Sequence, residues 1–193
     1  YLVSGALTDG QIVVAAGDTD KVQIVLAGAS LTCADSAAIY SKSADKVFLT
    51  LAEGTENTLT NGGSYIAIDE NNIDSVVFSK TDLTLNGSGS LTIDAQAGHG
   101  VVSKDELTIT GSSYTVTAAE HGMTGKDSLA VAGGDFTIIS GKDGLHAENA
   151  DDSALGFLYV ADGTFTITAQ GDAVSASGAL QVDGGTFDLT TGG

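Results

Sequence analysis

Apolar residues alternate with threonine and other polar residues along most of the chain, as in Leu107-Thr108-Ile109-Thr110 and Tyr114-Thr115-Val116-Thr117. A period of two puts successive side chains on opposite faces of an extended backbone, so the pattern predicts half-buried strands rather than helices. The alternating segments themselves recur. His99-Gly100-Val101-Val102-Ser103-Lys104-Asp105-Glu106-Leu107-Thr108-Ile109 returns 22 positions later as His121-Gly122-Met123-Thr124-Gly125-Lys126-Asp127-Ser128-Leu129-Ala130-Val131. Further copies open at Asp143-Gly144-Leu145 and Asp172-Ala173-Val174; these lie 29 apart (172 − 143), so 7 residues are inserted, before Leu158 and around Glu148 to Leu155. A fixed period of this size is the mark of a solenoid.

Stacking the copies by their spacing forms three apolar columns: Leu107, Leu129, Leu158 and Leu180; Ile109, Val131, Val160 and Val182; Tyr114, Phe136, Phe165 and Phe187. Gly133-Gly134, Gly163 and Gly184-Gly185 follow the first strand of their copies, where a corner needs positive φ or has no room for a Cβ. Two short strands and a corner per copy predict a single-stranded parallel β-helix with about 22 residues per coil in the C-terminal half and about 4.8 Å between rungs. The N-terminal half follows the plan less regularly: Tyr40-Ser41-Lys42 matches Phe78-Ser79-Lys80, and Leu49-Thr50-Leu51 matches Leu83-Thr84-Leu85. One domain over residues 1–193 is expected, with loop excursions near 57–74 and 148–155, where Asn61-Gly62-Gly63 and the acidic runs have turn chemistry.

Composition narrows the function. The 193 residues hold 25 acidic and 7 basic side chains, a net charge of −18, and every basic residue is a lysine. Such a field repels a phosphate backbone, which excludes nucleic acid as a partner. No apolar run reaches the roughly 18 to 20 residues of a membrane span, so no membrane insertion is expected. Tyr1 opens directly in an alternating stretch without an initiator methionine, which fits a processed or trimmed form of a longer product. The lone Cys33 reads as a small core residue.

Asp45-Lys46-Val47-Phe48-Leu49-Thr50-Leu51-Ala52-Glu53-Gly54-Thr55-Glu56-Asn57-Thr58-Leu59, Ser79-Lys80-Thr81-Asp82-Leu83-Thr84-Leu85-Asn86-Gly87-Ser88-Gly89-Ser90-Leu91-Thr92-Ile93 and Gly141-Lys142-Asp143-Gly144-Leu145-His146-Ala147-Glu148-Asn149 resemble a bacterial secreted family. It is the carbohydrate-binding parallel β-helix family of polysaccharide-degrading anaerobes. The resemblance covers nearly the whole chain. It implies a right-handed β-helix similar to pectate lyases, bound calcium, an extracellular or cell-surface location, and non-catalytic binding of cellulose-like or polygalacturonate polymers.

At the copy openings His99, His121, Asp143 and Asp172 align; five positions later come Lys104, Lys126 and Glu148, then Asp105, Asp127 and Asn149. Lys42 and Lys80 extend the lysine row. Like charges one rung apart repel by roughly 1 kcal/mol in water, so the row needs either neighbouring aspartates or a glycan track along Lys80, Lys104 and Lys126 to neutralise it. Asp143, Glu148, Asn149, Asp151 and Asp152 flank the insertion and stack above Asp127 and Asp105, with Asp172 on the following rung. Calcium takes six to eight oxygens from such side chains, so this set is a calcium site or a solvated acidic loop. Asp69, Glu70, Asn71, Asn72 and Asp74 form a second acidic group, read as a mobile loop in preference to a second ion site. His99 and His121 are too few for a zinc cage without thiolates and are assigned to sugar or solvent. Tyr159, between inward Leu158 and Val160, should face out, where its ring either stacks on a sugar or is simply surface.

The expected function is a calcium-binding, non-catalytic polysaccharide-binding protein. A self-assembling structural filament is the alternative, since Tyr1-Leu2-Val3-Ser4-Gly5 and Thr186-Phe187-Asp188-Leu189-Thr190 show no cap: flanking sequence covers the ends or copies stack head to tail. A lyase is the third reading, with Lys104 or Lys126 beside calcium as base.

Overall fold

The alternating segments form strands. The computed structural model describes residues 1–192, and among these it holds nineteen strands and no helix. Every strand pairing is parallel. Twelve strands share one sheet and seven the other.

Within the larger sheet, Lys21–Cys33, Lys46–Leu51, Asp82–Gly87, Glu106–Ala118, Ser90–Ala95 and Glu56–Asn61 are each bonded to the next, and the last bonds to Lys21–Cys33. These six close a parallel barrel. Extra strands extend it, among them Ser128–Ser140, Phe157–Val160 and Thr164–Ala169. The second sheet runs Val174–Ala176, Leu145–Ala147, Met123–Gly125, His99–Ser103, Ser75–Ser79, Ile39–Ser43 and Ile12–Ala15.

This topology corrects the expected right-handed single-stranded β-helix. Closure of the ring depends on strands that do not stop at the corner. Lys21–Cys33 is 13 residues long; its first half pairs with Lys46–Leu51 and its second with Thr58–Asn61. Glu106–Ala118 does the same with Leu83–Leu85 and Ser90–Ala95. Both pass the corner through residues at positive φ: Gly28 at 76° in one, Gly111 at 150° and Ser112 at 77° in the other. A bulge of this kind bends a strand without ending it, and the alternation pattern does not distinguish it from a loop. A uniform coil length also fails. Leu107 pairs with Leu129, 22 residues on, but Leu83 pairs with Leu107 at 24 and Val47 with Leu83 at 36.

The three apolar columns are in the expected register. Leu107, Leu129, Leu158, Val131, Val160 and Phe165 are buried, while Leu180 and Val182, on an outermost strand, are half exposed. The aromatic column is stacked, with ring centroids 5.3, 4.8 and 4.7 Å apart from Tyr114 through Phe136 and Phe165 to Phe187. Gly134, Gly163 and Gly185 have positive φ, and a Cβ on Gly184 would lie 2.7 Å from the Ala161 carbonyl, as the corner requires. Cys33 is buried.

In the N-terminal half Tyr40 pairs with Phe78 as expected, but Leu83-Thr84-Leu85 pairs with Val47-Phe48-Leu49, not with Leu49-Thr50-Leu51. A slip of two keeps the same residues inward, so alternation does not report it. Residues 57–61 belong to a strand, which shortens the first excursion to 62–74. That excursion covers the outer side of the second sheet, where Ile73 and Tyr65 pack with Ala37, Tyr40, Phe78 and Val102. The Tyr40 hydroxyl donates to Asp69 at 2.7 Å and Lys42 Nζ lies 3.4 Å from it; the hydroxyl and the Asn71 N–H lead in holding the Asp69 carboxyl down at about 2. The second acidic group thus ties its loop to the sheet.

Asn57 pins the Gly28 corner from inside. Its Oδ1 accepts the Gly28 and Ala29 N–H groups at 3.0 and 2.9 Å, and its Nδ2 donates to the Ser90 carbonyl at 3.1 Å. Asn57→Ala strands those buried backbone groups and is expected to cost about 2 kcal/mol or more; denaturant unfolding that shows less than about 0.5 kcal/mol would refute this assignment.

Candidate functional site

The copy openings sit at the edge of the second sheet and build a ladder. His99 Nδ1 accepts the His121 N–H at 3.1 Å, His121 Nδ1 accepts the Asp143 N–H at 3.1 Å, and Asp143 Oδ1 accepts the Asp172 N–H at 2.8 Å. Each side chain therefore satisfies the backbone of the next rung. The glycine after each histidine makes room: a Cβ on Gly100 or Gly122 would come within 2.6 Å of the next rung's carbonyl. Because Nδ1 accepts, the proton of each neutral imidazole is on Nε2, and His99 Nε2 faces Glu120 at 3.2 Å. Lys142 also holds Glu120, at 3.1 Å, and this contact lowers the Glu120 carboxyl below its ordinary range.

Burial dominates the imidazoles. Desolvation pulls His99 down to about 4 against the pull of Glu120, and it pulls His121 to about 4, aided by the neighbouring His146 and His99 rings. Both are neutral at pH 7. His146 joins them from an outward position of Leu145–Ala147: its ring stacks on His121 with centroids 4.1 Å apart, and His121 stacks on His99 at 5.1 Å.

These rings line one side of a shallow groove of about 320 Å³, with Lys104, Lys126, Thr124, Glu148 and Ala150. Lys104 Nζ stands 5.3 Å over the Phe78 ring and 3.7 Å from Asp74, whose carboxyl burial raises. Lys126 Nζ meets Asp151 at 2.6 Å; the contact raises the lysine and lowers the acid.

Four of the six expected carbohydrate contacts, His99, Lys104, His121 and Lys126, thus share one groove. Lys80 is in register with Lys104 in the same row and exposed, outside the groove lining. Tyr159 faces out as expected, but on the other sheet, where its hydroxyl donates to Asp183 at 2.8 Å.

The expected calcium ligands do not converge. Asp105 and Asp127 neighbour each other; burial first, then Asp82 and Asp127, raises the Asp105 carboxyl. Asn149 donates its Nδ2 to Asp127 at 2.6 Å and spends its Oδ1 on the Asp151 and Asp152 N–H groups. Asp151 is on Lys126, and Asp152 Oδ1 caps the Ala154 N–H. Asp143 and Glu148 lie instead with His146, at 2.8 and 3.3 Å from its two nitrogens, and the Asp172 N–H is bound by Asp143. The eight side chains divide between two places, and neither offers the six oxygens of a calcium cage from side chains alone.

His146 and Glu120 were not singled out from the sequence. The signal for Glu120 was the spacing, since Lys142 follows it by 22. His146 occupies a column that holds Val102 and Thr124 in the preceding copies, and so shows no repetition.

The carbohydrate-binding domain-containing protein family matches residues 1–193. The chain belongs to this family. A carbohydrate-binding domain-containing protein of Acetivibrio thermocellus is 39% identical over 120 residues, which is 61% of this chain and 42% of the relative. The match thus spans under half of that relative's length. Among solved structures, the polysaccharide lyase-like protein from C. thermocellum, determined as a gadolinium derivative, is 34% identical with a TM-score of 0.88, covering 100% of this chain and 82% of that one. This member of the carbohydrate-binding domain family presents a groove lined by three histidines and two acid-paired lysines.

Proposed function

We propose that the chain is a non-catalytic polysaccharide-binding domain that takes an acidic glycan chain along the groove of His99, Lys104, His121 and Lys126. The observation that carries this reading is the placement of two lysines, Lys104 and Lys126, and two imidazoles, His99 and His121, along one open groove in a molecule of net charge −18. Uronate carboxylates accept from lysine, and ring hydroxyls pair with the His121 N–H and Glu148. The relative's and the neighbour's printed descriptions, carbohydrate-binding and polysaccharide lyase-like, support the same ligand class.

Elimination from a uronate needs a free base at the α-proton. His99 and His121 spend their Nδ1 lone pairs on backbone N–H groups, His146 is flanked by two carboxylates, and both lysines face acids. This favours binding over lysis. Calcium enters as a bridge between glycan carboxylates and the Asp105–Asp127 pair, whose like charges are best relieved by a cation.

A second reading rests on the exposed side of the larger sheet. Thr92, Thr115, Thr137 and Thr166 form one exposed column, and Thr117, Thr168 and Thr190 share a second with exposed Ile139. The columns make a flat grid about 4.8 Å by 6.7 Å, suited to an uncharged crystalline glucan.

Affinity electrophoresis separates the two. Lys104→Gln with Lys126→Gln is expected to weaken polygalacturonate binding at least about tenfold, the cost of losing a charge-assisted hydrogen bond, and chelator should weaken it further. Unchanged polygalacturonate binding by the double variant refutes the groove; loss of glucan binding in Thr115→Val with Thr137→Val supports the grid.

A further inference from the structure

One end of the groove holds a cluster that shares only His121 with the proposed glycan track. Asp143 Oδ2 lies 2.8 Å from His146 Nδ1 and 3.5 Å from His121 Nδ1. Ligand atoms of all three residues fall within 4.8 Å of one another, the one such group of three among the described residues. Tetrahedral zinc, with bonds of about 2.0–2.1 Å, holds its ligand atoms about 3.3 Å apart, so the observed separations need small movements to admit an ion. The side chains are only 12 to 16% exposed, yet the groove leaves one side open.

Each ligand is held from behind. Asp143 Oδ1 is occupied by the Asp172 N–H, which aims Oδ2 at the histidines. His146 Nε2 faces Glu148 Oε2 at 3.3 Å, and a carboxylate on the far nitrogen is the arrangement that orients a metal-binding imidazole and leaves Nδ1 for the metal. His121 is positioned by its stack on His146, and its Nδ1 lone pair, now accepting the Asp143 N–H, is unprotonated. Two nitrogens and one oxygen suit zinc, copper or nickel; calcium prefers oxygen alone.

We propose that His121, Asp143 and His146 bind one divalent transition-metal ion, of which zinc is the reference case, with a fourth position open to the groove. Binding exchanges the His121 acceptor role toward the Asp143 N–H for the ion and displaces the proton between Asp143 and His146. The site stands whether or not the groove takes a glycan.

Equilibrium dialysis of the whole chain against zinc chloride, read by elemental analysis, tests it. The expected result is one zinc per chain, retained in millimolar calcium, with His146→Gln weakening it at least about tenfold. Asp143→Asn, which keeps the carbonyl that accepts the Asp172 N–H, should weaken it likewise and covers the case of a misfolded His146→Gln. Cobalt should give the strong visible band of a four-coordinate ion in the wild type and lose it in both variants. No retained zinc, equal affinity in both variants and the wild type, or displacement of zinc by calcium would overturn the proposal.

Discussion

Phe165→Ala is expected to remove about 3–5 kcal/mol of stability, a large share of what a domain of this size holds. The ring is fully buried, and it is stacked on Phe136 at 4.8 Å and on Phe187 at 4.7 Å with interplanar angles of 3° and 6°. Its loss opens a cavity and removes two aromatic contacts of about 0.5–1.5 kcal/mol each at once. Relaxation is limited because Phe136 and Phe165 sit at fixed register on strands hydrogen-bonded on both sides, and Phe187 is held in register by the Phe165 strand. The neighbouring Thr166 faces outward, so Thr166→Ala should change stability by less than about 0.5 kcal/mol. Denaturant midpoints at unchanged slope check the pair; a Phe165→Ala cost below about 1 kcal/mol would refute the packing of this column.

Acidification should destabilise the molecule through the imidazole ladder before most carboxylates titrate. His99 and His121 sit at about 4 in the folded chain against 6.5 when solvated, so the unfolded chain binds more protons between those values. Folded pKa values below the unfolded ones mean that the contribution is fully present above about pH 6.5 and is lost as pH falls toward 4. After allowance for partial solvation, the pair should cost roughly 3 kcal/mol across that window. Glu120 and Asp151, whose carboxyls are lowered, act in the carboxylate range below it. His99→Gln with His121→Gln keeps an acceptor for each rung's N–H and removes the titration, so its stability should be nearly flat from pH 6.5 to 4.5. If wild type and double variant lose equal stability over that range in chelator-treated buffer, the ladder is not the cause.

The columns and the ladder were legible because they repeat. Leu107 through Leu158, Tyr114 through Phe187, and His99 through Asp172 each recur at a spacing that the register reproduces. Features that depend on backbone conformation were not. Continuation of a strand through Gly28 or Gly111-Ser112, and hence closure of the six-strand barrel, turns on φ values that composition does not reveal. The two-residue slip at Val47 preserves every inward residue. At the site, spacing located the lysine row but not its partners: Asp74 reaches Lys104, and Asp151 reaches Lys126, from excursions outside the repeat. The acidic insertion looked like a calcium loop by composition, whereas Asn149 and Asp152 use their oxygens to fold the insertion itself.

The chain has 3 histidines and all of them line the groove, so their ring C–H resonances report on it alone. Titrating a soluble oligogalacturonide while recording these signals is the most direct test of where the glycan binds. The account predicts saturable shifts at His99, His121 and His146 with one common dissociation constant, abolished by Lys104→Gln with Lys126→Gln. Oligogalacturonide binding that leaves all three signals unmoved would contradict it.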